Sequence, residues 1–202
     1  MWIDLSWPIT DGMPVYPGDR ETSLVKEKQL ERDHYAAFAL YTGLHAGTHM
    51  DAPMHLLPGG VGIHEVPLSR CFAPGVLLDV RGQRLIPKPQ LPEGSLSGKA
   101  VLLYTGLESA YGSESYYHDH PEVSMELAEL LARENIAFLG MDMPSPDFPP
   151  FPVHKLLLSR GIPIVENLCN LRALPISFEV AAFPLSLHAE ASLVRAVARG
   201  KT

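Results

Sequence analysis

Nineteen prolines are scattered along the whole chain, and they constrain its fold more than any other feature. Each fixes its own φ, lacks an amide donor and turns its predecessor away from the helical region. Such a chain is expected to run as many short segments joined by sharp turns. Trp2 to Ser6 reads as a strand closed by Pro8. Pro14-Val15-Tyr16-Pro17-Gly18-Asp19 reads as a stiff loop, and Ala36 to Tyr41 and His45 to Asp51 as extended chain. Val76 to Val80 and Val101 to Tyr104 are short apolar runs bounded by turn residues, as buried strands are.

The clearest helix starts after Pro121, with Ser124 as its cap and Leu127, Leu130, Leu131 and Glu134 at helical spacing. A strand is expected from Ile136 to Leu139, a short helix from Val153 to Ser159 stopped by Gly161, and a strand from Ile162 to Val165. Ser177 to Phe183 and Ser192 to Ala198 read as the last strands. Strands outnumber helices without alternating regularly. The expected class is one mixed α/β domain over residues 1–202, with a substantial, partly antiparallel sheet.

The net charge of -7 argues against nucleic acid or an anionic membrane surface as partner. No apolar run approaches bilayer-spanning length. Cys71 and Cys169 lie far apart and form no C-x-x-C pair, so they are expected as reduced core thiols. Met1-Trp2-Ile3-Asp4-Leu5 has an early acid and no basic region before an apolar run, unlike a secretory signal. The expected location is the cytoplasm.

Chemistry concentrates between residues 45 and 55. His45, His49, Asp51 and His55 are four potential ligands or proton carriers at spacings of four, two and four. All are odd positions, so a strand would put them on one face. In a helix Asp51 would sit roughly 240° around from His45, and Pro53 opposes a continuing helix. Full extension, however, would part His45 from His49 by about 13 Å. Two imidazoles barely reach one metal across that span, because each metal–nitrogen bond is only about 2 Å. The chain must bend, and Gly47 is where it can. Downstream, His154 opens a short helix, and Glu166 ends the apolar run Ile162-Pro163-Ile164-Val165. A carboxylate there needs a partner, either a cation or a nearby arginine.

His45-Ala46-Gly47-Thr48-His49-Met50-Asp51-Ala52-Pro53-Met54-His55 resembles the H-x-G-T-H-x-D-x-P-x-H signature of the cyclase family, which includes bacterial kynurenine formamidases and isatin hydrolases. The resemblance extends to Tyr16-Pro17-Gly18-Asp19, to Gly140-Met141-Asp142-Met143-Pro144-Ser145-Pro146-Asp147, and to His154 with Gly161 to Leu168. It implies a swivelling β/β/α fold and a divalent-metal site. His45, His49 and Asp51 would bind a first ion, with Asp51 bridging to a second held by His154 and Glu166. Zinc is the first expectation, as one ion or two, and manganese the alternative. His55 would be the general acid/base. Tyr16 and Phe38 are candidates to stack on an aromatic substrate, against a core-packing role for Phe38. Tyr16 replaces the tryptophan usual in the formamidases, and Ala46 a common threonine.

The implied activity is hydrolysis of an aryl amide C–N bond, foremost N-formyl-L-kynurenine to L-kynurenine and formate. The close rival is a lactam or other amide hydrolase of the isatin hydrolase type. The rival of another class is a non-catalytic metal or small-molecule binding protein on the same fold. The resemblance also implies a homodimer or homotetramer. A structural zinc site is disfavoured, since such sites lean on thiolates and this cluster has none.

Overall fold

The computed structural model describes residues 1–201. In chain order its strands are β1 (Trp2–Asp4), β2 (Ser23–Lys28), β3 (Ala37–Tyr41), β4 (His49–Asp51), β5 (Phe72–Asp79), β6 (Leu85–Ile86), β7 (Ala100–Tyr104), β8 (Glu122–Val123), β9 (Phe138–Met141), β10 (Ile164–Glu166), β11 (Phe178–Pro184) and β12 (Ala191–Gly200). The α-helices are α1 (Leu30–Asp33), α2 (Glu114–His118), α3 (Met125–Arg133) and α4 (Pro152–Ser159). Short 3₁₀ turns include Pro53–His55.

Among the described residues, the main sheet has the order β1-β12-β11-β5-β7-β9-β10-β4, and β4 also pairs with β12, so the sheet closes on itself. The long strand β12 makes this possible. Its start, Ala191 to Leu193, pairs with β4, and its end, Val197 to Arg199, pairs with β1. β5, β7, β9 and β10 run parallel to their neighbours in that series, while the remaining pairs are antiparallel. Helices α3 and α4 cover the parallel part, as crossover connections must.

The strand period of two sorts the apolar residues into two cores. Met50, Ala100, Leu102, Phe138, Val165 and Phe178 fill the inside of the closed sheet. Val101, Leu103, Leu139 and Ile164 point outward, against Leu127 and Leu131 of α3 and Val153, Leu157 and Leu158 of α4. β7 is buried on both faces, which is why its sequence reads as an unbroken apolar run. Each fully buried large side chain contributes roughly 1.5–3 kcal/mol.

The sheet is mixed, as expected, and the elements agree with the sequence reading apart from shifted ends. Ser124 caps α3 by accepting from the Leu127 amide at 3.2 Å. Gly161, at φ +64°, ends α4. The strand expected over Ile136–Leu139 lies at Phe138–Met141, because Asn135 takes φ +47° and Ala137 N first bonds Lys99 O. β2 was not legible: its run Ser-Leu-Val-Lys-Glu-Lys is largely exposed and pairs only with β3 in a separate hairpin. Cys71 and Cys169 are both buried and free. Among the described residues, no helix is long and apolar enough to cross a membrane.

Phe178 packs across the sheet onto Gly75, its directly paired neighbour. A Cβ at residue 75 would stand 1.9 Å from the Phe178 ring. Gly75→Ala is therefore expected to destabilise the fold by about 1–3 kcal/mol through overpacking. Denaturant unfolding measures this, and an unchanged midpoint would show that the ring can move aside.

Candidate active site

Residues 44–48 form a turn and bend, and the strand begins only at His49. Gly47 takes φ +60°, and a Cβ there would also meet Met13 Cε at 2.8 Å. The bend expected at this glycine is present. The single shared strand face is a correction: only His49 and Asp51 lie on β4, opposite Met50, which points into the inner core. His45 comes back over them by way of the bend, with Nδ1 3.1 Å from Asp51 Oδ1. His55 arrives on the 3₁₀ turn that Pro53 initiates. Its ring lies 4.4 Å from that of His45 and 6.1 Å from that of His154.

Strand pairing supplies the other half. Glu166 on β10 sits directly across from His49 on β4, and Glu166 Oε2 is 3.3 Å from His49 Nε2. Its Oε1 is 3.2 Å from His154 Nε2, which the first turn of α4 brings in from the β9–β10 crossover. Asp51 lies between the two halves, its Oδ1 3.5 Å from His49 and its Oδ2 3.8 Å from His154. Among the described residues, no arginine pairs with Glu166. Two sets, His45–His49–Asp51 and Asp51–His154–Glu166, each present ligand atoms within 4.8 Å of one another. The five residues are those that the resemblance to the cyclase family singles out.

The cluster fits a bound cation. His49 Nε2 and both Asp51 oxygens are sealed from solvent without a hydrogen bond of acceptable geometry. The imidazole contacts at 3.1 to 3.8 Å bring charges together but do not satisfy those oxygens. A buried carboxylate left in that state is costly, and a metal ion is the partner that uses every lone pair.

The rings are held so that Nε2 of two histidines faces the cluster. His49 Nδ1 donates to the Gly47 carbonyl at 2.9 Å, which also accepts from Asn167 Nδ2 at 2.9 Å. The Tyr116 hydroxyl donates to Asn167 Oδ1 at 2.7 Å. His154 Nδ1 lies 2.5 Å from Asp147 Oδ1, and Asp147 Oδ2 accepts from the Val153 amide at 2.6 Å. Outer partners of this kind fix tautomer and orientation. Sequence reading gave Asp147 and Asn167 no role. The available signals were a carboxylate one short loop before His154 and an asparagine directly after Glu166.

Charge separates His55 from the other imidazoles. Burial pulls His45 down, but the adjacent Asp51 carboxylate, with Glu166 and Glu190, overrides it and raises His45 to about 9. Burial is likewise overridden at His49 by Asp51 and Glu166, and at His154 by Asp147, Asp51 and Glu166; both are raised. The same imidazoles overcome burial to hold Asp51 well below the usual carboxylate range and to lower Glu166. At His55 burial prevails and the pKa falls, so this ring stays neutral.

The cluster forms the floor of a cavity of about 210 Å³ whose walls include Tyr16, Tyr117, Phe148 and Phe151. Tyr16 stands at its edge, packed edge-on to Tyr117 at 5.6 Å. Phe38 is not among the lining residues. It lies on β3, 57% exposed, and so neither packs in the core nor reaches the cavity of its own chain. The hairpin that carries it stands apart from the closed sheet.

The Cyclase family model matches residues 3–148, which hold His45 through His55. A kynurenine formamidase of Bacillus thuringiensis (strain Al Hakam) is 31% identical over 205 residues, spanning 98% of this chain and 97% of that protein. A kynurenine formamidase of Bacillus anthracis is 30% identical over the same shares of both. A solved structure described as a potential metal-dependent hydrolase with cyclase activity superposes with a TM-score of 0.82 at 26% identity, covering 100% of this chain and 99% of that one. Isatin hydrolase A from Labrenzia aggregata superposes at 0.84 with 20% identity, covering 100% and 94%, a likeness of fold alone. The chain belongs to the cyclase family of metal-dependent hydrolases.

Proposed function

We propose that this chain is an arylformamidase, converting N-formyl-L-kynurenine and water to L-kynurenine and formate. One observation carries the reading: His55, a histidine outside both ligand groups, lines an aromatic-walled cavity together with His45, His49, His154 and Glu166. A metal-binding protein without a reaction to run has no use for a free base there. The full-length relatives named kynurenine formamidase supply the substrate.

In this reading His45, His49 and Asp51 would hold one divalent ion, and Asp51, His154 and Glu166 a second. Zinc is preferred and manganese is the alternative. When bound, such an ion supplies Lewis-acid chemistry, polarising a carbonyl and acidifying water towards neutrality. His55 takes a proton from water as it attacks the formyl carbon, and delivers it to the aniline nitrogen as the C–N bond breaks. Gly47 O and Asp147 keep the His49 and His154 rings aimed, and Tyr16 meets the substrate ring at the mouth.

The active form in this reading is a cytoplasmic homodimer or homotetramer. Phe38 and Leu40 are exposed on one face of the β2–β3 hairpin and Val25 and Tyr41 on the other, with Leu30 exposed between the strands, and a second copy would cover apolar residues of this kind. Phe38 would meet a substrate only across such an interface. The free, buried cysteines suit a reducing compartment.

Purified protein loaded with zinc or manganese should release formate from N-formyl-L-kynurenine faster than it opens isatin; the opposite order would overturn the assigned substrate. His55→Ala should keep its metal and its fold while losing turnover by roughly 10²–10⁴, the usual worth of a general acid/base. Loss of metal in that variant would make His55 a ligand instead. Chelation should lower the melting temperature of the wild type, since only the folded chain has the site. Glu166→Gln should bind metal more weakly and show a smaller chelation effect. If it melts and binds as wild type does, Glu166 belongs to no ligand set.

A further inference from the structure

His120 belongs to neither ligand group. It is 4% exposed, yet it lines the cavity. Its ring stacks on Phe148, with centroids 4.2 Å apart and planes 20° from parallel. Its Nδ1 lies 3.0 Å from the Pro121 carbonyl oxygen. A carbonyl oxygen only accepts, so Nδ1 carries the hydrogen. Burial lowers the pKa of this ring against the opposing pull of that carbonyl and nearby carboxylates, and the imidazole stays neutral. Its Nε2 is therefore a bare acceptor. Among the described residues this atom has no hydrogen-bond partner, and it is not sealed from solvent. Stacking alone does not need it, because a phenylalanine would stack as well. An acceptor that opens into a cavity and finds no protein donor selects ligands that bring one.

Two further features define the donor. The hydrogen bond and ring contact of His120 go to Pro121 and Phe148, not to His45, His49, Asp51, His154 or Glu166. Neither contact engages the ligand cluster, which leaves Nε2 free for a part of the substrate other than the formamide. The cavity lining also includes the exposed carboxylate Asp19 and, among the described residues, no lysine or arginine. A cationic donor suits this lining better than an anionic group.

We infer that His120 is a specificity-determining residue whose Nε2 accepts a hydrogen bond from an amine or ammonium on the substituent of the aryl ring, remote from the formamide. This rests on the arylformamidase reading and deepens it: the preferred substrates are aryl formamides that carry an amino-bearing side chain, and bare formanilides are poor ones. Phe148 holds the ring plane and Pro121 holds the tautomer, so the acceptor is in place before the substrate arrives.

The test uses the metal-loaded full chain as wild type, His120→Phe, which keeps a stacking ring without the acceptor, and His120→Gln, which restores an acceptor. Turnover is compared for N-formyl-L-kynurenine and 4-(2-formamidophenyl)-4-oxobutanoate, which keeps the ring, ketone and carboxylate and lacks only the side-chain amine. Binding of the two matching products, L-kynurenine and 4-(2-aminophenyl)-4-oxobutanoate, is measured by calorimetry. The preference for the amine-bearing member should fall roughly 10- to 100-fold in His120→Phe, the worth of a hydrogen bond to a charged donor, chiefly through KM, and return in part in His120→Gln. An unchanged preference in His120→Phe overturns the inference. So does wild type that binds both products equally, a result that needs no variant to fold. If wild type hydrolyses neither formamide, the arylformamidase reading fails, and the product-binding preference still decides the role of His120.

Discussion

Asp51 lies sealed from water among three imidazoles, and neither of its oxygens has a hydrogen bond of good geometry. Burying a carboxylate in that way is tolerable only if positive charge is close and a cation can take the remaining lone pairs. Much of the architecture serves that condition. The strand pair β4–β10 puts Glu166 across from His49, the crossover helix α4 delivers His154, and the Gly47 bend returns His45. Each half of the cluster comes from a different piece of backbone, so the cluster exists only when β4 lies beside β10.

Closure in turn depends on β12. One strand serves β4 at its start and β1 at its end, while β11 runs along its other edge. That arrangement leaves β4 hydrogen-bonded on both sides although it is only His49–Asp51 long. A strand so short holds its side chains accurately because its neighbours fix it, not because of its own propensity. The inner core behind Met50 and the outer core beneath α3 and α4 press on the same strands from opposite faces. Rigid support of this kind is what a metal-ligand constellation requires.

The electrostatics divide the labour. Carboxylates raise the pKa of His45, His49 and His154, and those rings in turn stabilise the Asp51 and Glu166 anions. His55 stands close by, yet burial dominates its environment and keeps it neutral. One patch of chain thus places ligand-type side chains beside an imidazole whose pKa is lowered. The difference arises from placement on a separate 3₁₀ turn rather than on β4.

Local chemistry makes much of this legible in the chain itself. Histidines and a carboxylate around a glycine, followed by Pro53, imply a bent ligand segment, because no straight strand or helix lets them converge. The apolar runs of β7 and β10 announce buried strands, and Ser124 announces the start of α3, since period and capping are local properties. Phe38 is beyond such reasoning. An aromatic on a strand looks the same whether it faces a core, a cavity or solvent, and only the detached hairpin puts it outside. Asp147, Asn167 and His120 are equally hidden, because their meaning lies in partners whose positions depend on how the chain folds back: His154, Gly47 and Phe148. Sequence alone determined which side chains could bind a metal and where the backbone had to bend, because both follow from residue type and spacing. Tertiary structure decided which of them meet, since pairing β4 with β10 and β12 is a contact between segments that are far apart along the chain.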